Sequence, residues 1–165
     1  MKSFRKILCM ALSFALFLTT VIVATAGAAS TQDVVGGRFN GMPWQYDTKE
    51  GQLSINGQGA LPTEANKPWQ EYEQQVDTAI FRSGITVIPD GFMNFCVNMT
   101  TIMIPASVTY IGEGVLTISP KLTDIIYEGD LDALLAIPMS EADREVVKKT
   151  HFHTATIKES GDTYS

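Results

Sequence analysis

Apolar residues in this chain fall into short alternations broken by glycine, proline and polar turns, a spacing that predicts strands over most of its length. Leu53-x-Ile55 alternates between Gly51 and Gly57. Further on, Ile85-x-x-Ile88, Met99-x-x-Ile102-x-Ile104, Val108-x-x-Ile111 and Leu122-x-x-Ile125-x-Tyr127 place apolar side chains as half-buried strands do. Pro105 ends one of these strands by removing a ladder donor. Gly112 and Gly114 then turn the chain, and Phe92/Phe95 in one stretch, Val115/Ile118 in the next, are expected to plug the layer from the far side. The pattern changes near the end. Ser140 precedes Glu141, Asp143 and Glu145, and Lys148-Lys149 follow, which predicts a capped helix with charges matched to its dipole. Leu131 to Ile137 predicts a further helical turn or two before Pro138, and Phe152-x-Thr154-x-Thr156-Ile157 a short closing strand.

The strands repeat. A shift of 23 residues lays Thr78–Thr100 over Thr101–Thr123 with five identities: Thr78/Thr101, Thr86/Thr109, Ile88/Ile111, Gly91/Gly114 and Thr100/Thr123. Ile85/Val108, Asp90/Glu113 and Met99/Leu122 are conservative matches, and a third copy starts at Asp124 and breaks off near Gly129. A unit of two short strands and a tight turn cannot bury its own apolar face, so the units are expected to stack.

Three runs carry a family resemblance: Met99-Thr-Thr-Ile-Met-Ile-Pro105, Val108-Thr-Tyr-Ile-Gly112 and Gly91-Phe-Met-Asn-Phe-Cys96. They resemble the BspA-like leucine-rich repeats of secreted bacterial surface proteins. The flank Trp44-Gln-Tyr-Asp47, Gly51 to Gly59, Pro68-Trp69 and Tyr72 is similar to the β-rich segment that precedes such repeats, so the resemblance covers residues 41 to 129. It implies a mainly β solenoid: a short leucine-rich-repeat stack with a β-rich N-terminal cap and a helix-plus-strand C-terminal cap. It also implies surface display, adhesion or protein binding as the function. The chain departs from the family pattern at Val115, where Phe is usual, and at Ser119-Pro120, opposite Cys96-Val97, which predicts a looser last coil. Trp44 and Trp69 are expected to cover the open end of the stack.

The first residues read differently. Lys2, Arg5 and Lys6 precede an uncharged apolar run from Ile7 to Ala24, and the small residues Ala24 to Ala28 follow, which predicts a signal peptide over 1–28. The organisation expected is therefore signal peptide 1–28, flexible leader 29–40, N-terminal cap 41–77, repeats 78–129, C-terminal cap 130–158 and tail 159–165. Localisation is expected to be secreted, extracellular or on the cell surface.

Charge narrows the partners. Without the leader, nine Lys and Arg stand against 18 Asp and Glu, a formal charge of about −9. Such a chain carries no basic footprint for nucleic acid, nor for an anionic membrane once the leader is gone. A protein or glycan ligand is the expected partner. The part beyond the leader holds one cysteine, Cys96, which cannot form an internal bridge and sits in an apolar patch as a small buried hydrophobe.

Candidate chemistry is sparse. His151 and His153, two apart on a strand, share a face and are the seed of an alternative reading, a small extracellular hydrolase or metal enzyme with Asp132, Asp143 or Glu145 as further ligands. Asp47/Glu50 and Asp124/Glu128 are pairs of acids with nothing to fix their separation. No nucleophile elbow, P-loop or dinucleotide fingerprint occurs in the sequence. We therefore expect no catalytic residue, metal or cofactor. The expected binding surface is the outward side of the stacked strands: Ile80, Met103 and Ile126 as an exposed aliphatic row, with Thr78, Thr101 and Asp124 beside it. A structural fragment of a larger surface protein is the remaining alternative.

Overall fold

The structure is a computed structural model and describes residues 33–63 and 66–155. The expected signal peptide, the start of the leader, Thr156-Ile157 of the closing strand and the tail lie outside the described residues.

Val34–Phe39 (β1) and Met42–Asp47 (β2) form an antiparallel hairpin in which Phe39 pairs with Met42. The loop is therefore Asn40 and Gly41 alone, with φ of 48° and 83°. Two positive φ values give the turn whose twist matches that of the strands, and Asn-Gly is the dipeptide that adopts it most readily. This corrects the flexible leader expected over 29–40, since residues 34–39 are an ordered edge strand. Gln52–Ile55 (β3) adds antiparallel to β2.

From β3 onward the sheet turns parallel. Thr78–Phe81 (β5), Thr101–Ile104 (β7) and Asp124–Tyr127 (β9) follow in register, with Thr78 beside Thr101 and Thr101 beside Asp124. Each step is the 23-residue period read from the sequence. Gly59–Ala60 (β4), Ile85–Ile88 (β6) and Tyr110–Ile111 (β8) make a second, smaller parallel sheet. The chain thus coils between two sheets. Ile85, Ile88, Ile102, Ile104, Ile111 and Ile125 are wholly buried within the core they share. Each such side chain contributes about 1.5–3 kcal/mol of burial. Gly112 permits the close stacking, because a Cβ there would collide with the Pro89–Asp90 backbone of the coil before.

The turns between coils correct one expectation. Phe92 and Met93 are buried, but Phe95 is 62% exposed. Met93, not Phe95, plugs the layer beside Phe92. One coil later Val115 and Leu116 fill the equivalent places and are wholly buried. Ser119 Oγ donates to the Cys96 carbonyl at 3.0 Å, a bond from one coil to the next.

Both ends of the core are covered. Trp69 lies among Phe39, Trp44 and Phe92, with ring centroids 5.2, 5.5 and 5.9 Å away. At the other end stand two helices, Leu131–Ala136 (α1) and Glu141–Lys149 (α2), capped by the side chains of Asp130 and Ser140. They bury Leu134 and Val147 against the last coil. His151–Thr154 (β10) then pairs parallel with β9, so the large sheet has seven strands in the order β1-β2-β3-β5-β7-β9-β10.

Candidate functional site

The parallel register builds the rows that the sequence predicts. Ile80, Met103 and Ile126 are successive partners across β5, β7 and β9, as are Thr78, Thr101 and Asp124. They are not an exposed ladder. Ile80 and Ile126 are 2% and 3% exposed, Thr78 is buried, and Met103, Thr101 and Asp124 are half-buried. Two further strands extend the rows and flank the aliphatic side chains. Ser54 of β3 stands beside Ile80, and His153 of β10 beside Ile126. Arg82, next on the same face as Ile80, donates from Nε to Ser54 Oγ at 3.4 Å. A row closed in this way offers no free aliphatic patch.

Both histidines meet an acid at the edge of this face. His153 Nε2 hydrogen-bonds Asp124 Oδ1 at 2.8 Å, and His151 Nδ1 lies 3.7 Å from the same oxygen. Thr123 Oγ1 donates to Asp124 Oδ2 at 2.7 Å. Burial alone would raise the Asp124 pKa, but the bonds from His153 and Thr123 outweigh it and hold the carboxyl below its ordinary value. The sequence pairs the histidines correctly on one face and misses their acid, because only the parallel register sets β9 beside β10. Among the described residues no group of three His, Cys, Asp or Glu side chains could hold a metal ion. Asp143 is occupied elsewhere: its carboxylate accepts the backbone N–H groups of Gly114, Leu116 and Thr117 at 2.9–3.0 Å. One acid of each of the two pairs is also held by hydrogen bonds. Asp47 accepts from the N–H groups of Lys49 and Glu50 in a turn, and Glu128 from Ser83 and Ala106.

A different feature stands out at the N-terminal cap. Gln70–Gln75 forms a 3-10 helix, and beside it runs the turn that carries Phe95. Between them lies an open groove of about 490 Å³, lined by Gln70, Glu71, Glu73, Gln74 and Gln75 from the helix and by Phe95 and Asn98 from the turn. Asn98 is fixed in place, donating to the Gln74 carbonyl at 2.8 Å and accepting from Lys121 Nζ at 2.6 Å.

Beneath the groove the helix is pinned by a buried ion pair. Lys67 Nζ lies 3.3 Å from Glu73 Oε1, with both side chains over nine-tenths buried, and 5.4 Å from the centre of the Phe92 ring. Removing either partner would strand a charge, so the pair fixes the helix against the core. Cys96 lies near it. Burial, with the nearby Glu73 carboxylate, pushes the thiol up to about 12. It is protonated at neutral pH and no nucleophile.

Phe95 itself has φ of 78°. That left-handed conformation suits glycine or asparagine and is costly for a bulky side chain. Here it turns the phenyl ring out of the core and onto the groove. Sequence reasoning missed this, because Phe92-Met93-x-Phe95 reads as one apolar run and nothing local says which ring turns outward.

Neither a family model nor a curated protein matches the chain. Among solved structures the chain is similar to a leucine-rich repeat protein from Eubacterium ventriosum, at 34% sequence identity and a TM-score of 0.47. The match covers 52% of this chain and 23% of that one, so this chain spans about a quarter of the length of its structural neighbour.

Proposed function

We propose that this chain is a non-catalytic binding module of the leucine-rich-repeat type, of the BspA-like kind, that works outside the cell and meets its ligand at the Phe95 groove. The stacked 23-residue coils and the motif runs around Ile102, Ile111 and Phe92 support the repeat reading. The basic and apolar opening of the chain supports export. The single observation that carries the binding reading is Phe95: a large apolar ring, 62% exposed, held outward in a costly conformation. Backbone strain of this kind persists where it serves a contact, since a glycine would stabilise the same turn.

The reading is tested by incubating the labelled full chain with bacterial and epithelial cells, untreated or treated beforehand with protease or with periodate. Saturable binding that one of the two treatments abolishes is the expected result. Absence of saturable binding to both cell types would overturn the reading.

A further inference from the structure

We infer that the Phe95 groove is a site for a neutral glycan, with the phenyl ring as the platform under a pyranose ring and Gln70, Glu71, Gln74 and Gln75 as partners for its hydroxyls. This rests on the binding-module reading and names the ligand class for it.

The chemistry of the lining decides the class. A sugar ring has one face of C–H groups and a rim of hydroxyls, each both donor and acceptor. An exposed aromatic ring matches the face. Carboxamides match the rim, because each supplies a carbonyl acceptor and two N–H donors, and the Glu71 carboxylate adds acceptors for bidentate contact. Three glutamines and two glutamates in one short helix line that wall, and Glu73 is held by Lys67, which leaves Glu71 as the exposed carboxylate among the carboxamides. The groove, at about 490 Å³, falls within the size of small-ligand sites and has room for a short oligosaccharide. It is open, so its contacts are wet, as hydroxyl recognition tolerates.

Charge selects within the class. The chain has a formal net charge of −6, and Glu71 stands in the groove wall. A sulfated or uronic-acid polymer would meet repulsion there, whereas a neutral chain would not. A peptide is recognised by adding a strand, by laying a helix in an apolar groove, or by charge. One ring among six polar side chains provides no apolar groove of that kind.

The test uses the full chain, a microarray of neutral and acidic glycans, and saturation-transfer NMR with the neutral oligosaccharides that bind. Binding to at least one neutral oligosaccharide is expected, with the strongest transfer to ring C–H protons. Phe95→Gly should lower that affinity tenfold or more while the melting temperature holds or rises, because glycine relieves the left-handed strain. Gln74→Ala, which leaves the ring in place, should weaken binding several-fold.

Failure of every neutral glycan to bind, preference for acidic glycans or for polylysine, or undiminished binding by Phe95→Gly would overturn the inference. A fall in melting temperature in Phe95→Gly would do so too, by showing the ring to be structural. Cell binding that is protease-sensitive and indifferent to Phe95→Gly would sink the glycan site and leave the binding module standing.

Discussion

Asp143 Oδ1, in the first turn of α2, accepts the backbone N–H of Leu116 in the last coil at 2.9 Å. The same carboxylate takes the N–H groups of Gly114 and Thr117 and the Ser140 hydroxyl. One side chain therefore joins the helix cap to the turn that closes the repeats. Three backbone N–H groups of that turn and the capping hydroxyl converge on it, so the bond set acts as a clamp. Asp143→Ala should cost about 3–5 kcal/mol, since it strands buried donors, measured as a shift of the denaturation midpoint.

The same clamp gives a pH dependence. Burial alone would raise the Asp143 carboxyl, but the bonds from Ser140, Thr117, Leu116 and Gly114 outweigh it and hold the pKa below the ordinary 3.8. A carboxyl whose folded pKa is depressed contributes its full stability above the unfolded value and loses it as the pH falls through the folded one. Stability should be flat in this respect at neutral pH and drop below about pH 4. Asp143→Asn should flatten the acid limb of a pH–stability curve, and a limb of unchanged steepness would assign acid sensitivity to other groups.

Ile104 tests the coil packing. It is wholly buried in the core and should lose about 2–5 kcal/mol on truncation to alanine, from lost transfer energy and the cavity left behind. A chemical melt of Ile104→Ala that matches the parent would be incompatible with the 23-residue stacking.

Met103 tests the closed face. Its partners Ile80 and Ile126 are buried on both sides. Met103→Glu should therefore destabilise by about 1–3 kcal/mol, because the carboxylate loses hydration between apolar neighbours. A silent substitution in thermal melting would mean that the face is open to solvent at this strand.

Cys96 should be inert while the protein is folded. Its thiol is buried and pushed up to about 12, so iodoacetamide at pH 8 should leave it unmodified, and the same reagent in denaturant should label it fully. Rapid labelling of native protein would contradict the packing of the Lys67–Glu73–Cys96 region.

Much of this fold is legible in the sequence because its information is periodic. Each buried isoleucine recurs at one interval, and a residue such as Ile102 and its partner Ile125 declare the same face. What is not periodic is harder to see. Gly36 and Gly37 interrupt the alternation of β1, whose partner is fixed by the Asn40-Gly41 turn, a local signal that the apolar pattern alone passes over. The burial of Ile80 and Ile126 depends on β3 and β10, whose places in the sheet are set by long-range pairing. The groove is least legible of all. Phe95 differs from Phe92 by a backbone rotation, and its partners come from a helix some twenty residues earlier.

The first and last strands of the described fold are also the two edges of the large sheet, β1 on one side and β10 on the other. Six strand spacings separate them, roughly 29 Å at the usual interval between neighbours. Tension applied between those strands runs across the sheet, in line with its hydrogen bonds, and opens each pair in turn like a zip instead of shearing all of them at once. Under such a load the fold would yield strand by strand from its edges, and the four-residue β10 would be among the first to part.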